Sequence, residues 1–322
     1  MATNNKKDKK DQNGKAEKMS KKVKKYKRKY RKIKGFVVTL VVIIAALLGL
    51  FFGKDALEKQ KPVVEPVSGN EVQFHFIDVG QGDAALIRTA AGDILIDAST
   101  NSAEDQLKAY LDNLGITDIE YAVFTHPDED HIGGADMILE NYNVKRVILP
   151  DVAKTTATYK KMMTAIENEK CEVIMATPDK IFKVGELKCT ILAPGGTNYD
   201  SYNDYSVVVR VDYGETSVLF TGDAEKTSEK EMLERYGAAA GGMLDCDLIK
   251  VGHHGSASSS TQAFLKAVTP EYGVISVGEG NDYGHPVPEI LARYEAMNVK
   301  LHRTDLEGSI VFTTTGGEPE KK

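Results

Sequence analysis

The chain of 322 residues has few cysteines, and its three, Cys171, Cys189 and Cys246, are widely spaced with no C-x-x-C pair. That excludes a disulfide scaffold, and the three read as small buried hydrophobes and not as metal ligands. Repeats and low-complexity stretches are missing between Glu71 and Thr315. No Lys/Arg run occurs after residue 34, and one apolar run alone is long enough to span a bilayer, so a channel built from many membrane helices is not expected. An apolar content of 42% in turn excludes a wholly disordered chain.

What is present divides sharply by charge. Residues 1–34 carry 16 Lys/Arg against three acids, a balance of +13, while the other 288 residues hold 25 bases against 44 acids, a balance of −19. The basic head has almost nothing apolar to bury and is expected to be disordered, binding anionic lipid headgroups or nucleic acid non-specifically. Residues 35–53 follow as a transmembrane signal anchor, with Phe36–Phe52 holding Thr39 as the lone polar side chain. At about 1.5 Å per residue this run spans roughly 26 Å, close to a hydrocarbon core. A cleaved signal peptide is the rival reading, but GKDALEKQKP offers no small-x-small cleavage site. The positive head then stays cytoplasmic, which puts everything after Lys54 outside in a single-pass topology. Residues 54–70, with two prolines, read as a linker, 71–315 as one domain and 316–322 as a tail.

Within the domain, short β-rich runs alternate with helical patterns. Val72–Ile77, Ala84–Arg88 and Asp93–Asp97 read as strands, the last two joined as a hairpin through Ala91-Gly92. Ser102–Leu114 is amphipathic, with Leu107, Leu111 and Leu114 on one face. Further strands are expected near Tyr121–Thr125, Arg146–Leu149, Glu172–Met175, Lys188–Leu192, Ser206–Asp212, Thr216–Thr221, Leu248–Val251, Val274–Val277 and Gly308–Thr313. Helices are expected over Ala224–Tyr236, Ser260–Val268 and Pro288–Met297. Hairpins mixed with crossover helices suggest helix-covered sheets of an α/β (α+β) fold, not a simple doubly wound one.

The chemistry concentrates at strand exits. Thr125-His126-Pro127-Asp128-Glu129-Asp130-His131-Ile132-Gly133-Gly134 crowds two imidazoles and two carboxylates at 126, 128, 130 and 131 onto one loop, a set suited to divalent cations. A solvated acidic loop with incidental histidines is the plainer explanation of that segment taken alone. Three more segments weigh against it: Thr221-Gly222-Asp223, Gly252-His253-His254-Gly255-Ser256 and Tyr283-Gly284-His285-Pro286. Five of the seven histidines thus lie in loops beside glycine or proline, whereas His75 and His302 fall within strand patterns and read as structural.

In this order, His-x-Asp-x-Asp-His, Thr-Gly-Asp, His-His-Gly-Ser and Tyr-Gly-His-Pro resemble the metallo-β-lactamase superfamily. With His75-Phe76-Ile77-Asp78-Val79-Gly80-Gln81-Gly82-Asp83-Ala84 in front, residues 71–315 resemble the extracellular hydrolase domain of ComEC-type competence proteins and their stand-alone relatives. The resemblance implies a four-layer αββα sandwich with two divalent metal ions, Zn or Mn, at one edge. It assigns His126 and Asp128 to one metal, Asp130 and His131 to the other, and Asp223 as the bridge. One of His253 and His254 completes the first site, with His254 favoured as ligand; His285 completes the second. The superfamily usually has His where this chain has Asp128, and a harder oxygen ligand shifts preference towards Mn.

The mechanism so implied is metal-assisted hydrolysis, in which two metals about 3.5–4 Å apart activate a bridging water and stabilise the entering and leaving oxygens. Asp130 and His253 are the catalytic candidates, Asp130 taking a proton from the water. Asn203, Ser206 and Ser256 are candidates for substrate contact, although Ser256 and Ser258–Ser260 also suit a helix cap. Gly80-x-Gly82 forms a tight turn, and Asp83 orients a metal-binding histidine from behind. A phosphoester suits the site, DNA among the candidates, with no obligate protein partner inferred. The −19 balance argues against duplex DNA, since duplex binding relies on basic contacts. A small-molecule or cell-wall phosphoester, or another ester or amide, is the alternative. A membrane-tethered metal-binding scaffold is the reading from another class, disfavoured because a structural site would be closed with four ligands.

Overall fold

In the computed structural model, residues 67, 69–237 and 241–322 are described. The basic head, the Phe36–Phe52 span and nearly all of the linker lie outside them. Among the described residues no helix is long and apolar enough to cross a membrane.

The strands of this domain are apolar on both faces, and that dictates its layering. In Gly92–Ile96, Ile94 and Ile96 point to one hydrophobic cluster and Leu95 to another; Ile148 and its neighbour Val147 divide in the same way. Val218 and Phe220 of Thr216–Phe220 join the first cluster, while Leu219 joins a third. Three separate cores bounded by two sheets require four layers. The middle core lies between the sheets and includes Phe74, Phe76, Ile87, Val209, Phe220 and Phe312. One outer core receives Leu107 and Leu111 of the helix Glu104–Asn113 with Met162 and Ile166 of Ala157–Glu169. The other receives Met232 of Lys226–Tyr236, Phe264 and Leu265 of Gln262–Val268, and Ile290 and Tyr294 of Pro288–Glu295.

The first sheet has eight strands and the second seven. In the first, Glu320–Lys321, Ile310–Thr314, Val72–Phe76, Ala85–Thr89 and Gly92–Ile96 run antiparallel in that spatial order. Tyr121–Val123, Arg146–Leu149 and Glu172–Met175 then continue in parallel from Gly92–Ile96. In the second, Ile181–Val184, Leu187–Ala193, Val208–Tyr213 and Thr216–Phe220 are antiparallel, and Leu248–Lys250, Tyr272–Ile275 and Lys300–Arg303 continue in parallel. The hairpin expected at Ala91-Gly92 is present with Thr89 opposite Gly92.

Each sheet thus has a parallel half whose strands end at the same edge. Asp97 and His126 follow parallel strands of the first sheet, while Asp223 and the His253–His254 pair follow parallel strands of the second.

Several elements differ from the sequence reading. The tail expected from residue 316 is part of the sheet, since Glu320 and Lys321 pair with Thr313 and Phe312. Its two strand residues are exposed, so no apolar pattern marks them. The helix over Ala157–Glu169 buries only Met162, Ala165 and Ile166 and begins at a Thr156 cap that accepts from the Tyr159 amide. Thr261, and not Ser256 or Ser258–Ser260, caps the helix Gln262–Val268.

Phe220 stacks on Phe76 at 5.7 Å between centroids in the core shared by the sheets. Phe220→Ala is expected to cost about 3–5 kcal/mol in urea unfolding. Leu306→Ala, at a side chain 71% exposed, is expected to stay within about 0.5 kcal/mol of the parent.

Candidate metal centre

The centre forms where loops of the two sheets interlock, and two glycines permit the approach. Gly82, at φ 144°, lies so close to the Asp130 carbonyl that a Cβ would come within 2.6 Å of it. That contact is fixed by the Asp83 amide donating to the Asp130 carbonyl at 3.0 Å. Gly222, at φ 51°, faces Thr125, where a Cβ would meet the side chain at 2.9 Å. The expected turn at Gly80-x-Gly82 is therefore also the surface against which the Asp130 loop rests. His253 and His254 both adopt left-handed conformations, φ 49° and 52°. For non-glycine residues such backbone costs about 1–3 kcal/mol each, and here it brings consecutive imidazoles to one point.

Four side chains meet most tightly. Ligating atoms of Asp130, His131, Asp223 and His254 all lie within 4.8 Å of one another. His131 Nε2 is 3.2 Å from Asp223 Oδ1, and His254 Nε2 is 3.2 Å from Asp130 Oδ2 and 3.6 Å from Asp223 Oδ2. His126 Nε2 and His253 Nε2 approach the same Asp223 Oδ2 at 3.9 and 3.6 Å. Asp223 is thus the point on which four imidazoles converge.

The ring orientations follow from a hydrogen-bond chain behind the histidines. Asp97 accepts from the Thr125 amide at 2.7 Å and the Thr125 hydroxyl at 2.8 Å, and His131 Nδ1 donates to it at 2.8 Å. With its proton spent on Asp97, the Thr125 oxygen accepts from His126 Nδ1 at 3.2 Å. His254 Nδ1 donates to the Ser276 carbonyl at 2.9 Å. All three rings are held by Nδ1, which turns Nε2 inward. Nε2 of His126, His131 and His254 and Oδ1 of Asp223 are buried and make no hydrogen bond. Buried polar atoms are costly when unsatisfied, and this inward-facing set of nitrogen and carboxylate donors fits divalent cations.

Electrostatics agree. Burial alone would depress the His254 imidazole, but the Asp223 and Asp83 carboxylates outweigh it and hold the group up at about 10. His131 is likewise buried, yet Asp223, Asp97 and Asp130 raise it well above its ordinary value. Asp223 is pushed the other way: burial opposes ionisation, but His131 and His254 hold it well below the usual carboxylate range. Without metal, protons on imidazoles balance the carboxylates; metal entering must release them. His126 differs, since burial and the His131 charge push it down to about 4, leaving a neutral ligand.

Other expected residues fall elsewhere. Asp128 turns outward, its Oδ1 2.5 Å from Lys154 Nζ, and does not join the cluster. His254, which the sequence grouped with His126 and Asp128, sits beside Asp130 instead. His285 stands at the margin, its ring 5.6 Å from His253 and stacked under the 69%-exposed Tyr283 at 5.8 Å. Ion contacts to Asp223 come from His126, His131, His253 and His254 and not from His285. Ser206 is fully buried and its Oγ accepts from the Asp223 amide at 3.1 Å, so it orients the centre and cannot touch substrate. Ser256 bonds Ser258, and Asn203 Nδ2 lies 3.5 Å from His253 Nδ1. Asp83 lies behind the histidines as expected, its Oδ1 3.4 Å from His254 Nδ1. His75, buried and pushed down to about 3 by burial and then by Arg88, bonds Gln73 of its own strand and Tyr110 of the helix Glu104–Asn113.

Sequence reasoning missed Asp97, Lys154, Glu225 and Lys250. Asp97 and Lys250 carry a common signal, an isolated charge at the end of an otherwise apolar strand (ILID and LIK).

A profile of the Metallo-beta-lactamase superfamily matches residues 77–279, and the chain belongs to that superfamily. It is 27% identical over 267 residues to ComE operon protein 3 of Bacillus subtilis, covering 77% of this chain and 34% of that protein. It is 31% identical over 249 residues to competence protein ComA of Neisseria gonorrhoeae, covering 77% of this chain and 33% of that protein. This chain thus spans about a third of the length of the curated relatives it matches. Among solved structures, the metallo-beta-lactamase fold protein YhfI of Bacillus subtilis superposes with a TM-score of 0.51 at 11% identity, over 76% of this chain and 100% of that one. CmlA, a diiron beta-hydroxylase from Streptomyces venezuelae, gives 0.51 at 14% identity, over 78% of this chain and 55% of that one. Both show likeness of fold.

Asp97→Asn removes the carboxylate that anchors His131 and Thr125. A folded protein with metal affinity lowered about 10- to 100-fold is expected, read by titrating Mn or Zn into chelator-treated protein. Because bound metal displaces the His131 and His254 protons, binding at pH 8 is expected to be tighter than at pH 6, with proton release measurable by calorimetry in two buffers.

Proposed function

We propose that this member of the metallo-beta-lactamase superfamily is a metal-dependent phosphodiesterase, held at the membrane by Phe36–Phe52 with residues after Lys54 outside. The observation that carries the hydrolase reading is the convergence of unbonded Nε2 atoms of His126, His131 and His254 on Asp223. Asp130, His131, Asp223 and His254 would hold one divalent ion, and His126 with Asp223 and His253 nearby a second. When bound, such ions supply an activated water and neutralise negative charge on phosphoester oxygens.

The chain's own groups divide the remaining work. Asp130 keeps its side chain 27% exposed, against 3% for Asp223, and is the carboxylate that a substrate and its water can reach. It takes the water's proton. His253 is 21% exposed at its side chain, with Nδ1 2.9 Å from Ser258 Oγ and 3.3 Å from Glu225 Oε1. The hydrogen bond from His253 is the main reason the Glu225 carboxyl is held down at about 2, so this pair stays aligned. His253 gives a proton of its own to the leaving oxygen and regains one from solvent, while Asp130 releases the water's proton to solvent. Lys154, 4.5 Å from the Tyr202 ring centroid, and the exposed Tyr283 suit a substrate with a phosphate and a flat face.

Two relatives carry competence and recombination in their names, which supports DNA as one candidate substrate. The −19 balance of residues 35–322 favours a small phosphoester or single strand over duplex.

The test is an assay of the full chain against bis-p-nitrophenyl phosphate, single-stranded DNA, duplex DNA and p-nitrophenylphosphorylcholine. Asp223→Asn and chelation are each expected to abolish turnover of at least one of these, with metal restoring only the chelated parent. Hydrolysis that survives both treatments would sink the proposal.

A further inference from the structure

Beneath the histidines lies a charge that the proposed hydrolysis does not use. Lys250, the last residue of the strand Leu248–Lys250, is 3% exposed, and its Nζ is in ion contact with Asp83 Oδ2. Ala85, Ile96 and Phe220 wall the small cavity around this pair, and Asp97 borders it. The other Asp83 oxygen is 3.4 Å from His254 Nδ1, and Oδ2 is 3.8 Å from His131 Nδ1. One carboxylate therefore separates the buried ammonium from two of the inward-facing imidazoles.

Stability does not explain such a pair. Burying an ion pair rarely gains over apolar side chains of equal volume, and a lysine in a parallel strand between two apolar cores gives up a hydrophobic contact. The pair instead balances charge. Asp83, Asp97 and His131 lie within 4.8 Å of one another, a grouping that could itself attract a cation, and Lys250 already supplies one.

We propose that Lys250 is a resident cation of this centre, which weakens its hold on divalent ions through space, with Asp83 as the counter-charge. The inference rests on the metal centre proposed above. Its sign follows from Coulomb's law. Any metal entering the cluster adds positive charge near a fixed positive charge in apolar surroundings, where screening is weak. Lys250 thereby keeps bound metal exchangeable, and Asp83 works in the opposite direction while holding His254 in place.

A cycle of variants tests this on the full chain, using Mn2+ or Zn2+ alone as probe and a competing chelator dye as readout, with circular dichroism to confirm folding. Lys250→Met keeps the volume and removes the charge, and is expected to bind metal at least about tenfold more tightly. Asp83→Asn is expected to bind more weakly by a similar factor. Adding Lys250→Met to Asp83→Asn should tighten binding again, so the effect is read even if Lys250→Met alone fails to fold. A purely structural role makes Lys250→Met bind more weakly, and equal or weaker binding on whichever backgrounds fold overturns the inference. A folded parent that takes up no metal overturns the metal centre itself, a different failure from a parent that binds while Lys250→Met is no tighter.

Discussion

Asp223 is the constraint on which the rest of this structure depends. A fully buried carboxylate is tolerated only when surrounding groups supply positive charge and hydrogen bonds. Here His131 meets one of its oxygens and His126, His253 and His254 the other, while the Ser206 hydroxyl accepts from its amide. Those imidazoles come from loops of both sheets, so Asp223 pins the two halves of the sandwich at one edge. The strained backbone at His253 and His254 and the close approaches at Gly82 and Gly222 serve the same meeting.

Around that point the side chains form concentric layers of opposite charge. Inward-facing Nε2 atoms surround Asp223; behind them, Asp97 and the Ser276 carbonyl accept from Nδ1, and Asp83 lies in ion contact with His254 Nδ1. Behind Asp83 comes the buried ammonium of Lys250. Each layer fixes the proton positions of the one in front. Charge and orientation are thus set before any ion arrives, the condition under which a metal centre binds without rearranging the fold. The exposed face is built differently. Asp130, His253 and Lys154 keep partial contact with solvent and Tyr283 is largely exposed, while the interior groups hold the geometry.

Much of the fold was legible because apolar strands alternate so regularly. Ile94-Leu95-Ile96 and Val218-Leu219-Phe220 have no polar face, which implies cover on both sides and hence helices outside two sheets. The short polar strand Glu320–Lys321 escaped because backbone pairing at a sheet edge needs no side-chain pattern. The site was legible to the extent that its clustered side chains are the rare residues of strand-exit loops, and His126, Asp130, His131, Asp223, His253 and His254 do come together.

Sequence by itself determined the residue types at the centre, the apolar faces that make the layers, and the charge division between head and body. Tertiary structure alone decided which side chains share a point in space. Asp128 lies two residues from His126 yet turns to Lys154, and His254 joins Asp130 across the seam between the sheets. Asp97 and Lys250 gain their roles only because strands distant in sequence end beneath the same histidines. The reason is geometric: strand spacing fixes where a loop begins, but the direction of each side chain is set by hydrogen bonds to groups that sequence does not place beside it.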